Sequence, residues 1–149
     1  MRSILKVNWD SNLPIYNISQ SELQKKGIDS LLLDVDGTLV NRKSNMIPKA
    51  VKNWIIESKK LFSLYLISNN PSKKRISKIA KDLNLRYKYK ASKPRKKVTL
   101  SAIKEIGRDP KNIAIIGDRI FTDIIVGNRC DIKTTVSYTH LTLPTRLSV

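Results

Sequence analysis

Two short apolar runs that stop abruptly at an acid, LLLD at residues 31–34 and IAIIGD at 113–118, constrain this fold more than any other feature of the chain. Runs this short, with no polar alternation, are consistent with strands buried on both faces. Between them, VKNWIIESKK carries Val51, Trp54 and Ile55 at helical spacing, and LFSLYLIS returns to strand character. PSKKRISKIAKDL follows, with Pro71 near a helix start and Ile76, Ile79, Ala80 and Leu83 at i, i+3, i+4 and i+7. RYKYKA reads as a short strand, RKKVTLSAIKEIG as a helix closed by Gly107, and NIAIIG as a buried strand. Strand alternating with helix predicts an α/β fold with a central parallel sheet covered by helices. At 149 residues, one domain is expected.

In such a sheet the functional groups gather on loops at the carboxyl ends of the strands. Four of those ends are polar here: Asp34 and Asp36; Ser68 with Asn69 and Asn70; Lys93; and Asp118 with Asp123. Four carboxylates in one cleft repel one another unless a cation neutralises them. An all-oxygen set without histidine or cysteine suits Mg²⁺, which itself favours phosphate oxygens as further ligands. Alternate residues of a strand face the same side, so Asp34 and Asp36 can address one phosphate while Gly37 and Thr38 let the chain turn around it.

Each of these residues also has a plainer reading. Asp36-Gly37 between apolar residues is a hairpin signal, and Ser68 precedes a helix that it can cap. Lys93 lies among Lys90, Arg95, Lys96 and Lys97, as in a solvated basic run. Asp118 can simply end a strand, and Asp123 can sit near a helix N-terminus. The four groups occurring together, in order, favour the functional reading.

Charge is the compositional outlier, with 29 Lys and Arg against 12 Asp and Glu. The surplus attracts phosphate-rich partners, whether nucleic acid, anionic membrane or phosphorylated metabolite, or reflects the abundance of Lys, Ile and Asn that an AT-rich genome produces. One cysteine, Cys130, excludes an intramolecular disulfide and a cysteine-built metal site, and the single histidine, His140, adds nothing. With no run long enough to span a membrane and no signal-like N-terminus, a cytoplasmic location is expected.

DVDGTLV, the Ser68 of LISNN, the Lys93 of ASKP and GDRIFTD together resemble the four motifs of the haloacid dehalogenase-like (HAD) superfamily of aspartate-nucleophile phosphatases. The resemblance implies a three-layer HAD-like Rossmannoid fold. Only about two dozen residues separate successive motifs, so no large cap domain is expected. It further implies Asp34 as nucleophile, Asp36 as general acid and base, and Ser68, Asn69 and Lys93 as the phosphate-binding set. Asp34, Asp36, Asp118 and Asp123 would form the Mg²⁺ site. An acid at Asp36 favours a phosphatase over a dehalogenase or phosphonatase.

A narrower likeness runs through LKVNWDSNLPIYNIS, LQKKGIDSLLLDVDGTLV, SNNPSKKRI, ASKPRKK and GDRIFTDIIVGNR. These stretches are similar to the YqeG-type, subfamily IIIA phosphatases, relatives of the mitochondrial phosphatidylglycerophosphate phosphatase. That likeness implies an anionic lipid headgroup as substrate and peripheral membrane contact. Few aromatics near the cleft make nucleic acid the less favoured partner. The subfamily usually has Asn where Gly37 stands. The final TVSYTHLTLPTRLSV fits no part of the pattern and resembles a translated sequencing adapter. The expected division is therefore a phosphatase domain over residues 1–134 and a non-native tail over 135–149.

Overall fold

Leu31, Leu32 and Leu33 are each 0% exposed, as a strand covered on both faces requires. They belong to β2 (Ser30–Leu33), the inner strand of a six-stranded parallel sheet in a computed structural model that describes residues 9–137. The other strands are β1 (Trp9–Leu13), β3 (Ser63–Ile67), β4 (Arg86–Lys88), β5 (Ile113–Gly117) and β6 (Lys133–Ser137). Their order is β1-β6-β5-β2-β3-β4. The chain winds from β2 outward through β3 and β4, then returns to lay β5 on the other side of β2. The crevice for a ligand in an open α/β sheet forms at such a reversal.

Among the described residues, five helices cover the sheet: α1 (Gln20–Lys25), α2 (Lys49–Lys59), α3 (Lys73–Leu83), α4 (Lys97–Ile106) and α5 (Ile125–Arg129). Alternate strand residues feed two separate cores. Leu31, Leu33, Leu64, Leu66 and Ile116 pack with Val51, Ile55, Ile76 and Ile79 of α2 and α3. Leu32, Tyr65, Ile67, Ile113 and Ile115 pack with Ala102, Ile103 and Val126 of α4 and α5. The result is the expected three-layer α/β architecture. Trp54 Nε1 donates to Ile18 O at 3.0 Å, tying the segment before β2 to α2.

The connection from β2 to α2 is residues 34–48 and that from β3 to α3 is residues 68–72, so neither carries an inserted domain. Ser72, rather than Ser68, caps α3, its hydroxyl accepting from Arg75 N at 3.2 Å. The domain limit expected at residue 134 falls inside β6, where Thr135, Val136 and Ser137 are buried and β5 pairs in parallel alongside. Residues 138–149 of the expected tail, and His140 with them, lie outside the described residues. No described helix is long and apolar enough to cross a membrane.

Candidate active site

The carboxyl ends of β2, β3 and β5 meet around a cavity of about 220 Å³. At its floor is Asp34, whose backbone N–H still bonds Ile116 O of β5 at 3.0 Å and so fixes the side chain at the end of the central strand. Lys93 Nζ donates to Asp34 Oδ1 at 3.0 Å, to Asp123 Oδ1 at 2.5 Å and to Ile67 O at 2.9 Å. Thr38 Oγ1 donates to Asp34 Oδ2 at 3.2 Å. Lys93 therefore spends all three protons, and its side chain is 1% exposed. Burial works to lower its pKa, but the charges of Asp123 and then Asp34 outweigh it and hold the ammonium well above its ordinary value. Lys93 is a permanent cation between two carboxylates.

Asp36, two residues on, lies across the cavity. Its Oδ1 accepts from Arg75 Nη2 at 2.6 Å and Nε at 3.2 Å, and its Oδ2 from Asn70 Nδ2 at 2.9 Å. Arg75 also bonds Asn45 in the β2–α2 connection. Asp118 Oδ2 accepts from Arg42 Nη2 of that same connection at 2.8 Å. Gly37 makes the close approach feasible: its φ is +85°, and a Cβ there would stand 2.0 Å from Asp118 Oδ2. Asp123 lies in a single π-helical turn, Ile120–Ile124, before α5, and its Oδ2 accepts from Arg119 N at 3.3 Å.

All the residues expected from the sequence thus reach one place, but not all as expected. Asp34, Asp118 and Asp123 each bring a carboxylate oxygen within 4.8 Å of the others. The carboxylate of Asp36 is outside that trio, committed to Arg75 and Asn70. Ser68 is buried in the cavity wall, its hydroxyl accepting from Asn70 N at 3.0 Å. The Asn69 carboxamide is turned onto the main chain of Lys93, donating to its O at 2.9 Å and accepting from its N at 2.6 Å. It positions the loop that delivers the lysine. Arg42 and Arg75 were absent from the expected set. Arg75 has a signal in the sequence, since it stands four residues before the buried Ile79 and so shares its helix face. Arg42 has none that separates it from Lys43.

The acidic trio fits a hard divalent cation. Its donors are all oxygen, and Asp118 Oδ1 is buried without a hydrogen-bond partner, the condition a metal ligand relieves. Burial, followed by the charge of Asp34, raises the Asp118 pKa against the opposing pull of Arg42. The same two causes push Asp123 up to about 7 despite Lys93. Lys93 leaves two of the trio's three negative charges unanswered, and a divalent cation cancels them.

A parallel sheet that delivers a paired acid, a buried lysine and a second acidic turn to one edge is the construction of haloacid dehalogenase-like phosphatases, and this chain is a phosphatase of that class. The family model for mitochondrial PGP phosphatase matches residues 2–138, and the chain belongs to that family. It is 28% identical over 116 residues to the probable phosphatase YqeG of Bacillus subtilis, covering 77% of this chain and 67% of that one. Among solved structures, a Listeria monocytogenes protein superimposes with a TM-score of 0.60 at 15% identity, over 81% of this chain and 97% of the other. A HAD family enzyme of Bacteroides thetaiotaomicron, solved with magnesium and inorganic phosphate, superimposes with a TM-score of 0.55 at 14% identity, over 80% and 99%. At these identities the structural matches speak for the fold.

Proposed function

We propose that the chain is a Mg²⁺-dependent phosphomonoester hydrolase working through an aspartyl-phosphate on Asp34, and that its substrate is phosphatidylglycerophosphate. The observation that carries the mechanism is the Asp34 carboxylate, held by Lys93 and Thr38 at the end of the central strand, with Asp36 across the same cavity. An Asp34 oxygen attacks phosphorus, the bond to the leaving oxygen breaks, and Asp36 gives that oxygen its proton. Asp36 then takes a proton from water, whose oxygen attacks the same phosphorus and releases phosphate and free Asp34. The Ser68 hydroxyl serves a phosphoryl oxygen, Lys93 supplies positive charge beside Asp34, and Asn69 keeps the Lys93 loop in place. Mg²⁺ held by Asp34, Asp118 and Asp123 would supply positive charge that lets a phosphate dianion approach a carboxylate.

The lipid reading is supported by the family's description and by a cleft with no inserted domain over it, open to a bulky leaving group. A cytoplasmic protein acting on such a substrate works at a membrane face. The test is phosphate release from phosphatidylglycerophosphate in mixed micelles, with and without Mg²⁺, the Asp34→Asn variant serving as blank. Release that requires Mg²⁺ and is lost in the variant is expected. A folded protein that hydrolyses an aryl phosphate but leaves the lipid untouched refutes the substrate and keeps the phosphatase.

A further inference from the structure

Outside the catalytic cavity, the molecule sorts its charges by sheet edge. Helices antiparallel to the strands end at the amino edge, and six of the eight acids outside the cavity among residues 9–137 are there. Glu57, Asp82 and Glu105 lie near the ends of α2, α3 and α4, while Asp29, Asp109 and Asp131 precede β2, β5 and β6. The carboxyl edge is the reverse. Segments 41–49, 70–78 and 89–97, which follow β2, β3 and β4 there, hold 12 Lys and Arg and no Asp or Glu. Arg42, Arg75 and Lys93 turn into the cavity; the other nine lie on segments that follow the strands at this edge.

An apolar side chain stands in this basic rim. Met46, 81% exposed, is in the β2–α2 connection between the exposed Lys43 and Lys49. The connection is held at the mouth by Arg42 on Asp118 and Arg75 on Asn45. Toward β4, Tyr87 and Tyr89 line a groove with Lys73 and Lys97. A nucleic acid satisfies the charge and leaves Met46 in water. An anionic bilayer satisfies both, taking the lysines at its headgroups and the methionine at the acyl boundary.

We propose that this carboxyl edge docks on an anionic membrane surface with Met46 entering the interface, so that the catalytic cavity opens onto the headgroups. The inference rests on the lipid reading above and names the surface through which it acts.

Sedimentation with phosphatidylglycerol-containing vesicles, against neutral phosphatidylcholine vesicles, tests it. Wild type is expected to bind the anionic vesicles alone. Lys73→Gln/Lys74→Gln is expected to weaken binding about thirtyfold, at roughly one factor of five per lysine, and Met46→Asp to weaken it as well. Lys81→Gln/Lys104→Gln, near the far ends of α3 and α4, leaves binding unchanged. None of these residues lies in the catalytic machinery, so aryl phosphate turnover stays at the wild-type rate and shows that each variant is folded. Equal loss from the two lysine pairs overturns the proposal. So does single-stranded RNA bound tightly by a protein that ignores the vesicles. Hydrolysis of the lipid in micelles without vesicle binding removes the surface and keeps the substrate; vesicle binding without hydrolysis removes the substrate.

Discussion

Replacing Lys93 with methionine keeps the length of the side chain and deletes the one cation buried among the acids. Its ammonium meets Asp34 at 3.0 Å and Asp123 at 2.5 Å with 1% of the side chain exposed, so solvent does little to screen the loss. Breaking a buried pair by removing one partner costs about 3–5 kcal/mol, because the remaining charge is stranded. Here two carboxylates are stranded, since Arg42 is paired to Asp118 and Arg75 to Asp36. In chelator at pH 8 the variant is expected to lose about 3–5 kcal/mol, or some 10–15 °C in melting temperature for a domain of this size. At pH 5.5 the loss shrinks, since Asp123, pushed up to about 7, is then protonated. Urea unfolding followed by tryptophan fluorescence and circular dichroism at both pH values measures it. A loss below about 1 kcal/mol at pH 8, the scale of an exposed pair, or an equal loss at both pH values refutes the view that Lys93 holds an ionised cluster together.

Two further predictions concern the metal. Asp123 has its folded pKa raised above the unfolded value, so the folded state binds the extra proton between the two. Metal-free stability from this group is therefore present at acid pH and lost as pH rises through about 7. Mg²⁺ competes with that proton, so the rise in melting temperature on adding it is expected to be larger at pH 8 than at pH 6, reaching about 2.7 kcal/mol of stabilisation at a hundred times its Kd; an equal rise at both contradicts the assignment. Gly37→Ala puts a Cβ 2.0 Å from Asp118 Oδ2 at a φ of +85°. It is expected to cost about 1–2 kcal/mol in backbone strain and to weaken Mg²⁺ binding by displacing Asp118, as thermal shift against Mg²⁺ concentration will show.

The parts of the fold legible in the sequence are those where one residue pattern decides the outcome alone. β2, β3 and β5 are saturated with apolar residues, and α3 carries an unbroken inward stripe from Ile76 to Leu83. β4 is three residues, shorter than RYKYKA suggested, because its exposed and half-buried side chains give it only β3 to pair with. β1, WDSNL, has polar residues at its centre and no periodicity to read; its place comes from pairing with β6. β6 itself, KTTVS, lies within the family match although its last three residues open the stretch expected to be a tail, and its burial rests on β5 to one side and β1 to the other. In both edge strands the partner, rather than the strand's own composition, supplies the signal.

The same distinction governs the cavity. The motif residues were legible because all four groups occur together, in order, at the ends of apolar runs, whereas the arginines that complete the charge balance sit among other basic residues. Their contribution is nevertheless large in electrostatic terms. Four carboxylates answered by Lys93 alone would leave about three net negative charges facing a phosphate dianion, enough to oppose its entry in a cleft that excludes water. With Arg75 on Asp36 and Arg42 on Asp118, the balance of these ion-paired groups is about one negative charge. A divalent cation reverses that sign, so the site would attract a phosphate dianion with the metal bound and repel it without. The two arginines bring the cavity close enough to neutral for a single ion to decide whether phosphate binds, and both reach it from segments that also frame the basic mouth.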